Sequence, residues 1–157
     1  MPYVFFHDYF PEIAERETRT ITVPPGAGGP LPPGEYALCE MFCDEPGCDC
    51  RRVFLYVIRR DYPGVEAVIA YGWEDAKFYA RWMHDDDPEI VAELQGPVLN
   101  FGSPASPLAP ALLDMVAHLA LQDAAYVERV KRHYRMFRNK VDARHGQRRR
   151  RKTKRRR

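Results

Sequence analysis

All four cysteines of this 157-residue chain lie between Cys39 and Cys50, in the run C-E-M-F-C-D-E-P-G-C-D-C-R-R. That clustering constrains the fold more than any other feature. Pro46-Gly47 supplies a turn between Cys43 and Cys48, and only Asp49 separates Cys48 from Cys50. The opening residues, M-P-Y-V-F-F-H-D, carry no basic region before their apolar run, so they do not read as a signal peptide. No apolar run approaches the ~20 residues that span a bilayer. A soluble, cytoplasmic protein in a reducing compartment is the expectation. Thiols packed this tightly there read as a metal knuckle rather than a disulfide framework.

Zinc takes four ligands in a tetrahedron, commonly thiolates and imidazoles, at about 2.0–2.3 Å. Cys43, Cys48 and Cys50 can meet if the chain curls between them, so one structural zinc ion is the expected cofactor. The fourth ligand is open. Cys39 is one candidate, but four residues of extended strand put it ~13 Å from Cys43. His7, His84, His118 and His133 are the rivals, and a carboxylate or an open position is the third option. Arg51 and Arg52 follow the last cysteine and could offset the charge of a thiolate centre. They could equally pair with surface carboxylates.

Other chemistries suit these residues less well. A catalytic zinc would want a general base, which Glu40, Asp44 or Glu45 could supply, yet no H-E-x-x-H or H-x-E…C-x-x-C pattern is present. The redox pattern C-x-x-C is absent. An iron–sulfur cluster needs four thiolates, and Cys39 is poorly placed to be one. Four structural cysteines without metal is the plainest alternative.

Two further patterns, Y-x-x-x-E-x-F-C-x4-C-D-C-R-R-V over Tyr36 to Val53 and Y-V-E-R-V-K-R-H-Y over Tyr126 to Tyr134, resemble small bacterial proteins of uncharacterised activity. The resemblance implies an independently occurring domain and nothing about substrate or fold.

Charge is unevenly distributed. Net charge is +2, with 24 basic and 22 acidic residues. Nine of the basic residues are Arg148, Arg149, Arg150, Arg151, Lys152, Lys154, Arg155, Arg156 and Arg157, which leaves 15 against 22 in the rest. An acidic body therefore carries a cationic end that attracts polyanions. Without interleaved aromatics the end cannot stack on bases, so contact with nucleic acid would be nonspecific. A solubilising terminus is the bland reading.

Periodicity predicts an α+β fold: a small antiparallel sheet of three or four strands, then about four helices packed on it. Strands are read at 17–23, 35–42, 51–60 and 65–73. Asp87-Pro88 and Asp123 read as helix starts, and Gly96 as a helix stop. The knuckle joins two strands and anchors the sheet edge. Residues 1–145 read as one domain and 146–157 as a disordered basic tail. The function these features favour is a non-enzymatic zinc module whose tail contacts nucleic acid. A zinc-dependent hydrolase or nuclease, or a zinc-stabilised protein-interaction adaptor, is the alternative.

Overall fold

A computed structural model describes residues 3–156. Strand β1 (Tyr3–Phe5) leads into two short helices, α1 (Phe6–Tyr9) and α2 (Pro11–Glu17). Strands β2 (Arg19–Val23), β3 (Gly34–Cys43), β4 (Arg52–Arg59) and β5 (Val65–Gly72) follow. Then come α3 (Ala76–Met83), α4 (Pro88–Gln95), β6 (Val98–Leu99), α5 (Ala109–Met115) and, after a π-helical turn at Val116–Ala120, the long helix α6 (Ala124–Arg155).

The strands form one antiparallel sheet in the order β1-β3-β4-β5-β6. β2 also pairs with β3, over Gly34–Leu38, while β1 pairs with it over Met41–Cys43. The two short strands thus share one edge of β3 and leave Cys39 and Glu40 without a partner there.

Period-2 alternation sorts the sheet into two faces. Tyr36, Leu38, Phe42, Val53, Leu55 and Ile69 point to one face and join the buried side chains of α5 and α6 in the main core. Leu112, Val130, Phe137 and Val141 supply the helical side. Each such burial is worth roughly 1.5–3 kcal/mol against exposure. Phe54, Val68 and Ala70 form a smaller cluster on the opposite face. β4 is therefore buried on both faces, as its apolar run between arginines implied.

Caps set the helix boundaries. Asp75 accepts from Phe78 N–H, Asp87 from Glu89 N–H, and Asp123 from Ala125 and Tyr126 N–H. Gly96, at φ 59°, ends α4.

The structure corrects the sequence reading on four points. Among the described residues the sheet has six strands, not three or four, and there are six α-helices, not four. The missed elements are short: β1 has three residues, β6 two and α1 four, too few to display a period. The knuckle connects β3 to β4, which are inner strands, so it does not anchor an edge. The segment expected to be disordered continues α6 as far as Arg155. Arg, Lys and Gln are good helix formers, and basic residues in a last turn favour the helix dipole.

Candidate metal centre and cationic helix

The knuckle grows from the end of β3. Cys43 is the last residue of that strand and is buried, as is Cys50, while Cys48 is partly exposed. Glu45 and Cys48 close a turn through Cys48 N–H to the Glu45 carbonyl, at 3.2 Å. Gly47 takes φ 74°, the left-handed region where a side chain is disfavoured. Arg51 also has positive φ, 49°. Its backbone is held there on both sides. Arg51 N–H donates to the Tyr134 hydroxyl at 3.1 Å, and the Tyr79 hydroxyl donates to the Arg51 carbonyl at 2.8 Å.

These constraints bring the sulfurs of Cys43, Cys48 and Cys50 into mutual hydrogen-bonding reach. Cys43 is the acceptor of the group. The thiol of Cys50 donates to it first of all, then Glu45 N–H and the Cys48 thiol add to the effect, with Arg138 nearby; against burial they pull Cys43 down to about 6. Cys50 is pushed up, chiefly because it donates to Cys43, and burial adds to that. Cys48 is raised by burial first and by the charge on Cys43 second. The backbone N–H two residues ahead also eases the ionisation of each sulfur: Glu45 for Cys43, Cys50 for Cys48 and Arg52 for Cys50.

Arg51 and Arg52 do not reach the sulfurs in the way their position in sequence suggested. Arg51 forks onto Asp49 at 3.0 Å and reaches Glu74 at 3.1 Å. Arg52 donates to the Leu94 carbonyl at 2.9 Å and lies over the Phe54 ring. The cation that serves the knuckle is Arg138 of α6. It donates to the carbonyls of Cys43 and Glu45 and to Asp142. Sequence periodicity put Arg138 off the apolar stripe of α6. The available signal was its place directly after Phe137, on the flank of that stripe.

Cys39 stands on the same unbroken strand as Cys43, roughly 13 Å away at strand spacing. Burial raises its thiol. The four histidines considered as ligands have other settings. His7 lies 3.6 Å from Asp8 and stacks on Phe5. His84 ends α3. His118 contacts the Asp114 carbonyl. His133 sits between Glu17 and Glu40. Glu40, considered above as a general base, is thereby occupied. Among the described residues no group of three or more His, Cys, Asp and Glu side chains is arranged as a metal site. The three sulfurs are hydrogen-bonded, and a fourth ligand is not beside them.

Cys48 and Asp49 line a shallow groove of about 380 Å³ against α6, with Arg135 and Asn139 on the helix side. Further along α6, side chains from Arg148 to Arg156 are exposed on every side of the helix. Arg157 lies outside the described residues. No described helix is long and apolar enough to cross a membrane.

Comparisons with protein-family models, curated proteins and solved structures returned no match to this chain.

Proposed function

We propose that the β3–β4 knuckle takes up one zinc ion through Cys43, Cys48 and Cys50, and that the cationic end of α6 contacts nucleic-acid phosphates without reading sequence. The observation that carries the metal reading is that the backbone N–H two residues ahead eases the ionisation of each sulfur. Such donors stabilise thiolates and fix their direction, which is how outer-shell groups tune a metal centre. Three soft donors suit zinc, which draws thiols into their ionised form.

A non-catalytic role fits the surroundings. A hydrolytic zinc needs a base beside an open position. Glu40 is held by His133, Asp49 is held by Arg51, and Asp44 Oδ1 is buried away from solvent without a hydrogen-bond partner. Cys43, Cys48 and Cys50 would hold the ion, and no described side chain would supply a fourth ligand.

Elemental analysis of purified wild-type protein beside Cys48→Ala tests the metal. One equivalent of zinc, lost in the variant, supports the reading. Metal-free wild-type protein purified with added zinc overturns it.

A further inference from the structure

The most concentrated ionic cluster of the interior lies away from the knuckle, in the gap that β1 and β2 leave on the edge of β3. Glu40 of β3 points into the main core, and its side chain is 5 % exposed. Its Oε2 is 2.6 Å from Nδ1 of His133 in α6. Nε2 of the same ring is 2.6 Å from Oε2 of Glu17, the last residue of α2. Both partners are carboxylates, so the ring donates from both nitrogens and carries its proton as imidazolium. His133 is 1 % exposed, and Phe6 of α1 stacks on it at 4.3 Å.

Other charged and titratable groups face this row. Arg132 forks onto both Glu17 oxygens at 2.7 and 2.9 Å, and Arg129 donates to the Glu17 carbonyl at 3.1 Å. From the opposite side the Tyr126 hydroxyl feels Glu40, Arg19, Arg129 and Cys39. Two polar atoms at this end, Glu40 Oε1 and Tyr126 Oη, are buried with no hydrogen-bond partner. Glu40 therefore has His133 as its sole donor among the described residues, whereas Glu17 keeps Arg132 whatever the ring does.

We propose that Glu17, His133 and Glu40 form a proton-operated latch that clamps α6 to β3 and α2 while the imidazole is charged and slackens when alkali discharges it. The neutral ring retains one proton. It stays on Nδ1, because Glu40 has no substitute donor. The lone pair of Nε2 then confronts Glu17 Oε2, and the α2 end of the latch opens first.

The direction of the pH effect follows from the two shifts. Burial works against a charge on His133, but the hydrogen bonds and charges of Glu40 and Glu17 outweigh it and raise the ring above its ordinary value. Its contribution is complete below the unfolded-state value of ~6.5 and is lost as pH rises through the higher folded value. Glu17 is held down to about 2, by Arg132 first and His133 next. Its contribution is complete above an unfolded-state value of ~4.3 and is lost as pH falls toward 2. The latch is tightest between these limits and weakens as pH rises through the raised value of His133.

The test is a ring-proton NMR titration of His133 in the full chain, assigned with His133→Gln, alongside melting temperatures of both proteins from about pH 5 to 10. A His133 midpoint above 6.5 is expected, with a wild-type advantage in melting temperature that shrinks by several degrees on the alkaline side. The variant cancels the titration of other groups. A midpoint at or below 6.5, or parallel melting curves, overturns the proposal. Should His133→Gln fail to fold, Glu17→Gln serves in its place: it lowers the midpoint of His133 if the latch is real, and leaves it unchanged if not.

Discussion

Arg138, midway along α6, donates from its guanidinium to the carbonyl oxygen of Cys43, the residue that closes β3. The same group reaches the Glu45 carbonyl at 2.7 Å and Asp142 at 3.2 Å, and its side chain is 8 % exposed. One buried fork thus ties the knuckle to the helix. Arg138→Met keeps the stem but leaves two carbonyls without their donor, at about 1–3 kcal/mol for each that stays dry. A loss of about 2–4 kcal/mol in denaturant unfolding is expected. Arg138→Lys should recover less than half of it, since one ammonium cannot span the fork's three acceptors.

Cys43 gives the knuckle a pH signature in metal-free protein. Its thiol ionises at about 6, whereas Cys48 and Cys50 are raised. A lowered thiol stabilises the fold above its unfolded value of ~8.5, and that stability is lost as pH falls through the folded value near 6. Thiolate ultraviolet absorbance in chelator-treated protein should show one group with a midpoint near 6. Cys43→Ser should abolish that step, and Cys50→Ala should move it upward, because the main donor to the thiolate is gone. A first thiolate appearing only above pH 8 in wild-type protein contradicts the arrangement.

The parts of this fold that could be read from the chain are those whose signal is local. The run from Arg52 to Arg59, the caps at Asp87 and Asp123 and the stop at Gly96 depend on neighbours in sequence, and each element stands where those residues put it. β1 and β6 owe their existence to β3 and β5 and have little pattern of their own. The candidate centre divides in the same way. Cys43, Cys48 and Cys50 lie on one short loop, so the sequence alone could single them out as a group. Arg138 is 95 residues from Cys43 and His133 is 93 from Glu40, and only the docking of α6 brings either pair together. An arginine or histidine on a mostly cationic helix carries no mark that separates the buried one from its exposed neighbours.

Gly72 carries a packing constraint with consequences for the knuckle. A Cβ there would collide with the Tyr79 hydroxyl and stand 2.7 Å from the Leu94 carbonyl. Tyr79 is wholly buried, and its hydroxyl holds the Arg51 carbonyl. Gly72→Ala therefore has to displace a rigid ring, at roughly 1–3 kcal/mol for overpacking. Tyr79→Phe should remove the shortest of these contacts in the double variant, though the ring Cζ at 2.6 Å remains, while still losing the bond to Arg51. Unfolding measurements on the two single variants and the double should give a total cost at least 0.5 kcal/mol below the sum, a coupling within the usual range for residues in contact. Simple additivity would mean that Gly72 does not press on the hydroxyl.

The cationic end of α6 makes a quantitative prediction because it is helical. Nine cations in ten positions of a coil could all approach one polyanion. The eight described cations, Arg148 to Arg156, follow a helix of 3.6 residues per turn, so they are spread around the axis and about half face a single phosphate backbone. Neutralising about four phosphates gives a slope of log affinity against log salt near −3.6 on duplex DNA. Removing residues 148–157 should reduce the slope by about 3–4 and weaken binding alike to duplexes of unrelated sequence. A reduction near eight would indicate that the end unwinds to wrap its partner. An unchanged slope would move the phosphate contacts away from this helix altogether.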